Sequence, residues 1–138
     1  MSRAMGLDLG TKTIGIALSD PSYLIAQATE TIKRKSLDED LKKLEKLIEE
    51  QEVREIVLGL PRHMNHDLGK SAQRSLSFGQ TLEKRFLLPV YYQDERLSTV
   101  SAERILKESG VRREKRKDYI DAIAASFILQ TWLDKKRR

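Results

Sequence analysis

The sequence has 138 residues, 39% hydrophobic and 34% charged, which is the balance of one globular domain over residues 1–138 and excludes a disordered or membrane-spanning chain. With no cysteine at all, disulfide frameworks, thiolate zinc sites and cysteine nucleophiles are excluded together, and a reducing compartment is suited. Lys and Arg number 26 against 21 Asp and Glu, a modest excess concentrated at Lys33-Arg34-Lys35, from Arg112 to Lys117, and at Lys135-Lys136-Arg137-Arg138. Such clusters suit a polyanion partner, because Lys and Arg contacts to phosphate supply most nonspecific affinity for nucleic acid; solvated surface is the plainer alternative.

Met1-Ser2-Arg3-Ala4 runs straight into a strand-like segment, with neither a signal-peptide apolar stretch nor a run long enough for a bilayer. A cytoplasmic protein without a membrane partner is expected. Met5 to Leu9 alternates as a strand, Gly10-Thr11-Lys12-Thr13 makes a polar turn, and Ile14 to Leu18 resumes as a second strand, so the chain opens on a hairpin. Tyr23 to Ile32 supplies a third strand. Ser36-Leu37-Asp38-Glu39 forms a capping box, and Leu41, Leu44, Leu47 and Ile48 behind it set an amphipathic helix over Leu37 to about Gln51. Glu55 to Gly59 has the continuous apolar character of a buried parallel strand. A helix from about Gly69 to Arg85 follows, then a strand at Pro89 to Gln93. Ser98 or Thr99 caps a further helix that Gly110 ends, and a last helix runs from about Asp118 to Asp134. This order predicts an α/β fold: a five-stranded mixed sheet, its first three strands antiparallel, with helices on both faces.

Three acids stand where a carboxylate needs a reason. Asp8 lies inside an apolar strand, where an ionised group is costly unless Lys12 across the turn or a bound cation compensates it. Gly6 and Gly10 flank it at two-residue intervals and clear its face for close approach of a phosphate or metal. Glu95 follows a buried strand, at the edge where ligands of open α/β sheets bind, although parity alone leaves Asp94 and Glu95 undecided. Asp121 begins a helical stripe continued by Ala125, Ile128 and Trp132, and so faces the sheet; complementing the helix terminus is its alternative role. Asp118 reads as the cap of that helix, or, three residues before Asp121, as a fourth acid. Phosphodiester hydrolysis needs an activated water and stabilised negative charge, and two hard cations held by carboxylates supply both. The three acids are material for such a site if the fold unites them. His63 and His66, with no cysteine nearby, make a poor zinc site and a better substrate contact. Tyr119 and Trp132 read as core or helix-packing residues.

The blocks Gly6-Leu7-Asp8-Leu9-Gly10-Thr11-Lys12-Thr13, Val57-Leu58-Gly59-Leu60-Pro61, Asp94-Glu95-Arg96-Leu97-Ser98-Thr99 and Asp121-Ala122-Ile123-Ala124-Ala125 resemble, in order, those of the YqgF family, also called RuvX-like. The resemblance implies an RNase H-like fold and a hydrolase: a metal-dependent nuclease related to Holliday-junction resolvases, of a family whose members are described as processing the 5′ end of pre-16S ribosomal RNA. It implies catalytic and metal-binding roles for Asp8, Glu95 and Asp121, with two Mg²⁺ or Mn²⁺ ions as cofactors. Thr13 departs from the pattern, where many relatives have Arg, as do His63 and His66. Nucleic acid is the expected partner, pre-16S ribosomal RNA before branched DNA, for a monomer or homodimer. A junction resolvase and a non-catalytic nucleic-acid-binding module are the alternatives. The first block also looks like the phosphate loop of actin-like ATPases, but that architecture needs two such domains.

Overall fold

The computed structural model describes residues 2–61, 66–95 and 113–136; the side chains of 66–68, 95 and 113–118 lie outside that description. Strand β1 (Arg3–Leu9) and strand β2 (Thr13–Ser19) pair antiparallel from Met5↔Leu18 to Leu9↔Ile14, and the Gly10 N–H closes their turn on the Thr13 carbonyl at 2.8 Å. Strand β3 (Ala26–Lys33) adds antiparallel to β2. In the link between them, Asp20 Oδ1 accepts the amides of Leu24 at 2.7 Å and Ile25 at 2.9 Å. These charge-assisted bonds, Ile25 foremost, hold the Asp20 carboxyl below its ordinary pKa. Helix α1 (Leu37–Glu50) starts as the capping box requires, with the Ser36 hydroxyl accepting the Glu39 amide at 3.2 Å.

Strand β4 (Val53–Pro61) then returns parallel to β1, helix α2 (His66–Phe86) crosses back, and strand β5 (Val90–Glu95) lies parallel to β4. Helix α3 (Arg113–Lys136) completes the described chain. The sheet order is β3-β2-β1-β4-β5, so β1, the strand carrying Asp8, is central. The expected mixed sheet is present, its first three strands antiparallel. The helix expected after Ser98 falls outside the described residues.

Strand alternation sorts the core into two faces. On one, Met5, Leu7, Ile16, Ile56 and Leu58 are fully buried against Leu44 of α1 and Leu82 of α2. On the other, Ala4, Ala17 and Val57 meet Ala125, Ile128, Leu129 and Leu133 of α3. Each large side chain so buried contributes about 1.5–3 kcal/mol, whereas small strand residues on the second face let α3 lie close to the sheet. The helix is held at its far end as well: the Tyr23 hydroxyl donates to Glu55 Oε1 at 2.8 Å, and Lys136 Nζ reaches Glu55 Oε2 at 3.2 Å. Burial, then the bond to Glu55, pushes the Tyr23 phenol above its usual range.

Two expectations are corrected by α3. It begins at Arg113 rather than near Asp118, so the basic stretch forms its first turns and Asp118 lies inside the helix, not at its cap. Arg, Lys and Glu are good helix formers, and no Gly or Pro between Arg113 and Asp118 interrupts them. Tyr119 is 48% exposed and takes no place in the core, while Trp132 packs against the α3 cluster as expected.

Candidate active site

Asp8 is the penultimate residue of β1 and shares its face with Ala4 and Gly6, the face covered by α3. It is half-buried and pairs across the hairpin with Gly15. Gly15 is where α3 comes down on the sheet: a Cβ there would stand 1.9 Å from the Asp121 carbonyl oxygen. Two residues along β2, the Thr13 hydroxyl donates to Asp121 Oδ2 at 2.5 Å. One glycine thus adjoins both Asp8, through the strand register, and the backbone of Asp121. The fold brings these two acids to one face at one end of the sheet although 108 residues separate Thr13 from Asp121. The clearance at Gly6 has a different purpose from the expected one: its absent Cβ makes room for Ala125 and Leu129 of α3, not for a ligand.

The β4–β5 register carries the face further. Val57 pairs with Tyr91, Gly59 with Gln93 and Pro61 with Glu95. Tyr91 meets Trp132 of α3 with ring centroids 5.3 Å apart, and Gln93 lies within 3.4 Å of Lys135 Nζ, so these alternate positions of β5 belong to the α3 face. Glu95 continues that series by position, and Asp94 has the opposite parity. The side chain of Glu95 lies outside the described residues. Among those described, no group of three or more His, Asp or Glu assembles as a metal cluster.

The carboxylates of Asp8 at the end of β1 and Asp121 on α3, with no sulfur or imidazole beside them among the described residues, are hard oxygen donors of the kind that suits Mg²⁺ or Mn²⁺. The Thr13 bond holds one oxygen of Asp121 in a fixed direction. Complementing the helix terminus no longer accounts for Asp121, because α3 starts eight residues earlier and the terminal field fades within one turn. Lys12 is exposed in the β1–β2 turn, where its carbonyl accepts the Arg34 amide at 2.8 Å. His63 lies outside the described residues and His66 is the first residue of α2.

Sequence reasoning misses two contributors. Thr13 stands out there only as a departure from a family pattern, yet it orients Asp121. Arg34, one of a basic cluster in the sequence, is a latch in the fold: its Nε donates to Asp40 Oδ2 at 3.2 Å and an Nη to the Gly10 carbonyl at 3.1 Å, tying the turn after Asp8 to α1. Asp40 is only 1% exposed and also accepts the Lys35 amide. An acid one step from Leu41 on the apolar side of α1 is the available signal that a cation must meet it.

A family model described as RuvX, Holliday junction resolvase, matches residues 2–135. A protein of Moorella thermoacetica named "Putative pre-16S rRNA nuclease" is 48% identical over 133 residues, covering 96% of this chain and 95% of that one. One of the same name from Geobacillus sp. is 49% identical over 140 residues, covering 98% and 99%. Among solved structures, Thermus thermophilus RuvC with a Holliday junction substrate superposes at a TM-score of 0.60 and 14% identity, over 99% of this chain and 96% of that one. The fowlpox virus resolvase with Holliday junction DNA gives 0.57 at 10% identity, over 99% of each chain. At such identities the likeness concerns the fold, which is RNase H-like.

Proposed function

Since this chain belongs to the RuvX family, we propose that it is a metal-dependent nuclease that cleaves phosphodiester bonds in structured nucleic acid, its substrate being the 5′ end of pre-16S ribosomal RNA. The observation that supports the reading is that Asp8, by strand register, and the backbone of Asp121, by packing, both adjoin Gly15, while Glu95 continues by position the β5 series Tyr91, Gln93. Asp8, Glu95 and Asp121 would hold two Mg²⁺ or Mn²⁺ ions. Bound there, the ions supply an activated water and offset the charge that grows on the leaving oxygen. The chain's own part is positional. Thr13 engages Oδ2 of Asp121 and so restrains the rotation of that carboxylate. The Arg34 latch holds the Gly10 turn that follows Asp8. Rigid placement matters because misplacement by about 1 Å can lower a rate about 100-fold.

Asp8→Asn is the direct test. Cutting of precursor RNA with Mg²⁺ or Mn²⁺ should vanish while RNA binding persists, and in the absence of metal the variant should melt higher than wild type, since like charges that converge repel. Retained cutting would refute the assignment; a lower melting temperature would show that the acids do not converge. Depletion in cells should leave unprocessed 5′ ends on 16S ribosomal RNA.

The second reading, junction resolution, is favoured by the family description and by the RuvC-like fold. A resolvase would act as a symmetric dimer making paired cuts. Normal ribosomal RNA ends together with recombination defects after depletion would select it. No described helix is long and apolar enough to cross a membrane. A place of action in the cytoplasm, where ribosomal RNA matures, belongs to the same proposal.

A further inference from the structure

A groove of about 790 Å³ opens between α1 and α2, on the face of the sheet opposite Asp8 but at the same end of β1. Its floor is apolar, made by Leu9, Leu37 and Phe78, and the cations Arg34, Lys70 and Arg74 stand around it. Among the described residues no carboxylate lines it. Asp40, the acid bonded to this rim, is buried beneath Arg34 and engaged by it and by the Lys35 amide. Arg34 also lies over the Phe78 ring, 5.7 Å from its centroid, so a flat cation and an aromatic ring adjoin within the groove.

The volume lies in the range of roughly 300–1,000 Å³ typical of ligand sites. Cations on the rim and apolar surface below match a particular chemistry: phosphates outside and a planar base inside. A duplex cannot use such a site, because its bases are stacked and turned away from the protein; an unpaired nucleotide can. We propose that this groove binds an unpaired strand of the nucleic-acid substrate next to the scissile bond, with Lys70 and Arg74 on successive phosphates and a base against the exposed side chain of Leu37. The inference rests on the nuclease reading for its substrate class. The path is short, because Leu9 follows Asp8 directly and Arg34 reaches the Gly10 carbonyl: a strand crossing the sheet edge at Asp8 passes over the Gly10 turn and into the groove. Unpaired flanks beside the cleavage point thereby become a feature that the protein selects.

The test is direct binding, without cleavage, of a short labelled uridine oligonucleotide and of a hairpin duplex of equal charge, followed by fluorescence anisotropy across a salt series. Wild type should prefer the single strand. Lys70→Ala with Arg74→Ala should weaken single-strand binding about tenfold and reduce the salt slope by roughly 1.4, about 0.7 for each phosphate no longer neutralised. Leu37→Ala, at a side chain already 47% exposed, should weaken binding severalfold with the slope kept. Thermal melts of each variant verify folding. A wild type that prefers the duplex, or a double variant with native single-strand affinity and slope, would overturn the proposal. Because no cutting is measured, its failure leaves the nuclease reading standing, and an inert protein that passed would leave the groove standing.

Discussion

The closeness of α3 to the sheet makes Gly15→Ala the sharpest probe of the site. The new Cβ would lie 1.9 Å from the Asp121 carbonyl oxygen and 2.2 Å from its carbonyl carbon, both backbone atoms that no rotamer change can remove. Reaching ordinary contact requires the first turns of the packed segment to withdraw by about 1.5 Å, more than close-packed interiors accommodate freely. Overpacking of this kind costs about 1–3 kcal/mol, and the same withdrawal strains the Thr13–Asp121 bond, worth about 1.5–3 kcal/mol when the acceptor is charged. A loss of about 3 kcal/mol is therefore expected in urea denaturation, which leaves a domain of ordinary stability folded. Cleavage should fall about 100-fold, because Asp121 moves relative to Asp8 by more than an effective site tolerates. Gly10→Ala is the control: its Cβ would meet the Thr13 carbonyl at 3.1 Å, a tight approach that a small shift relieves, and the cost should stay below about 1 kcal/mol. Gly15→Ala with stability and cleavage both at wild-type level would refute the seating of α3 on β2 and, with it, the pairing of the two acids.

Thr13→Val removes the only hydroxyl that orients Asp121 Oδ2 among the described residues; cleavage should drop about tenfold and Thr13→Ser should restore most of it, so equal rates for all three proteins would show the bond to be incidental. Arg34→Ala leaves Asp40 buried without its cation and should cost about 3 kcal/mol by denaturation, while Asp40→Asn added to it should recover part of that loss; no recovery would mean that Arg34 stabilises through its bond to the Gly10 carbonyl and its packing on Phe78 rather than through Asp40. Asp20 has a folded pKa below its ordinary 3.8, so its contribution is present above that value and is lost as pH falls through the folded pKa. The melting-temperature gap between wild type and Asp20→Ala should accordingly be largest near neutrality and close in acid, and a gap independent of pH would assign the effect to loop geometry rather than charge.

Local pattern was sufficient for some elements and not for others. The β1–β2 hairpin is legible because both strands alternate and a polar turn separates them, and α1 because Ser36 and the leucine spacing define its start and its buried side. The start of α3 is not legible, since a run such as Arg113 to Lys117 suits a solvated loop and a helix equally until the packed part of the helix nucleates it. β3 has weak alternation because it is an edge strand whose residues Gln27 to Glu30 are all exposed. Asp8 announces itself by lying in an apolar strand. The relation of Asp94 and Glu95 to it requires the partner of each position, Leu60 and Pro61, which only the β4–β5 register supplies. Thr13 with Asp121, and Arg34 with Gly10, are pairings across long separations, and nothing in either local segment specifies the other.

The hairpin bearing Asp8 closes from neighbours in sequence, whereas its counterpart acid arrives only when α3 docks, across the largest chain separation among the described side-chain bonds. A nascent chain emerging from the ribosome can thus build most of the sheet while remaining chemically harmless. On the function proposed above, competence would come as a single late event, after Asp121 has been translated and α3 has docked. For a protein proposed to trim the RNA of the very machine that synthesises it, the order of assembly is itself a safeguard against premature cutting.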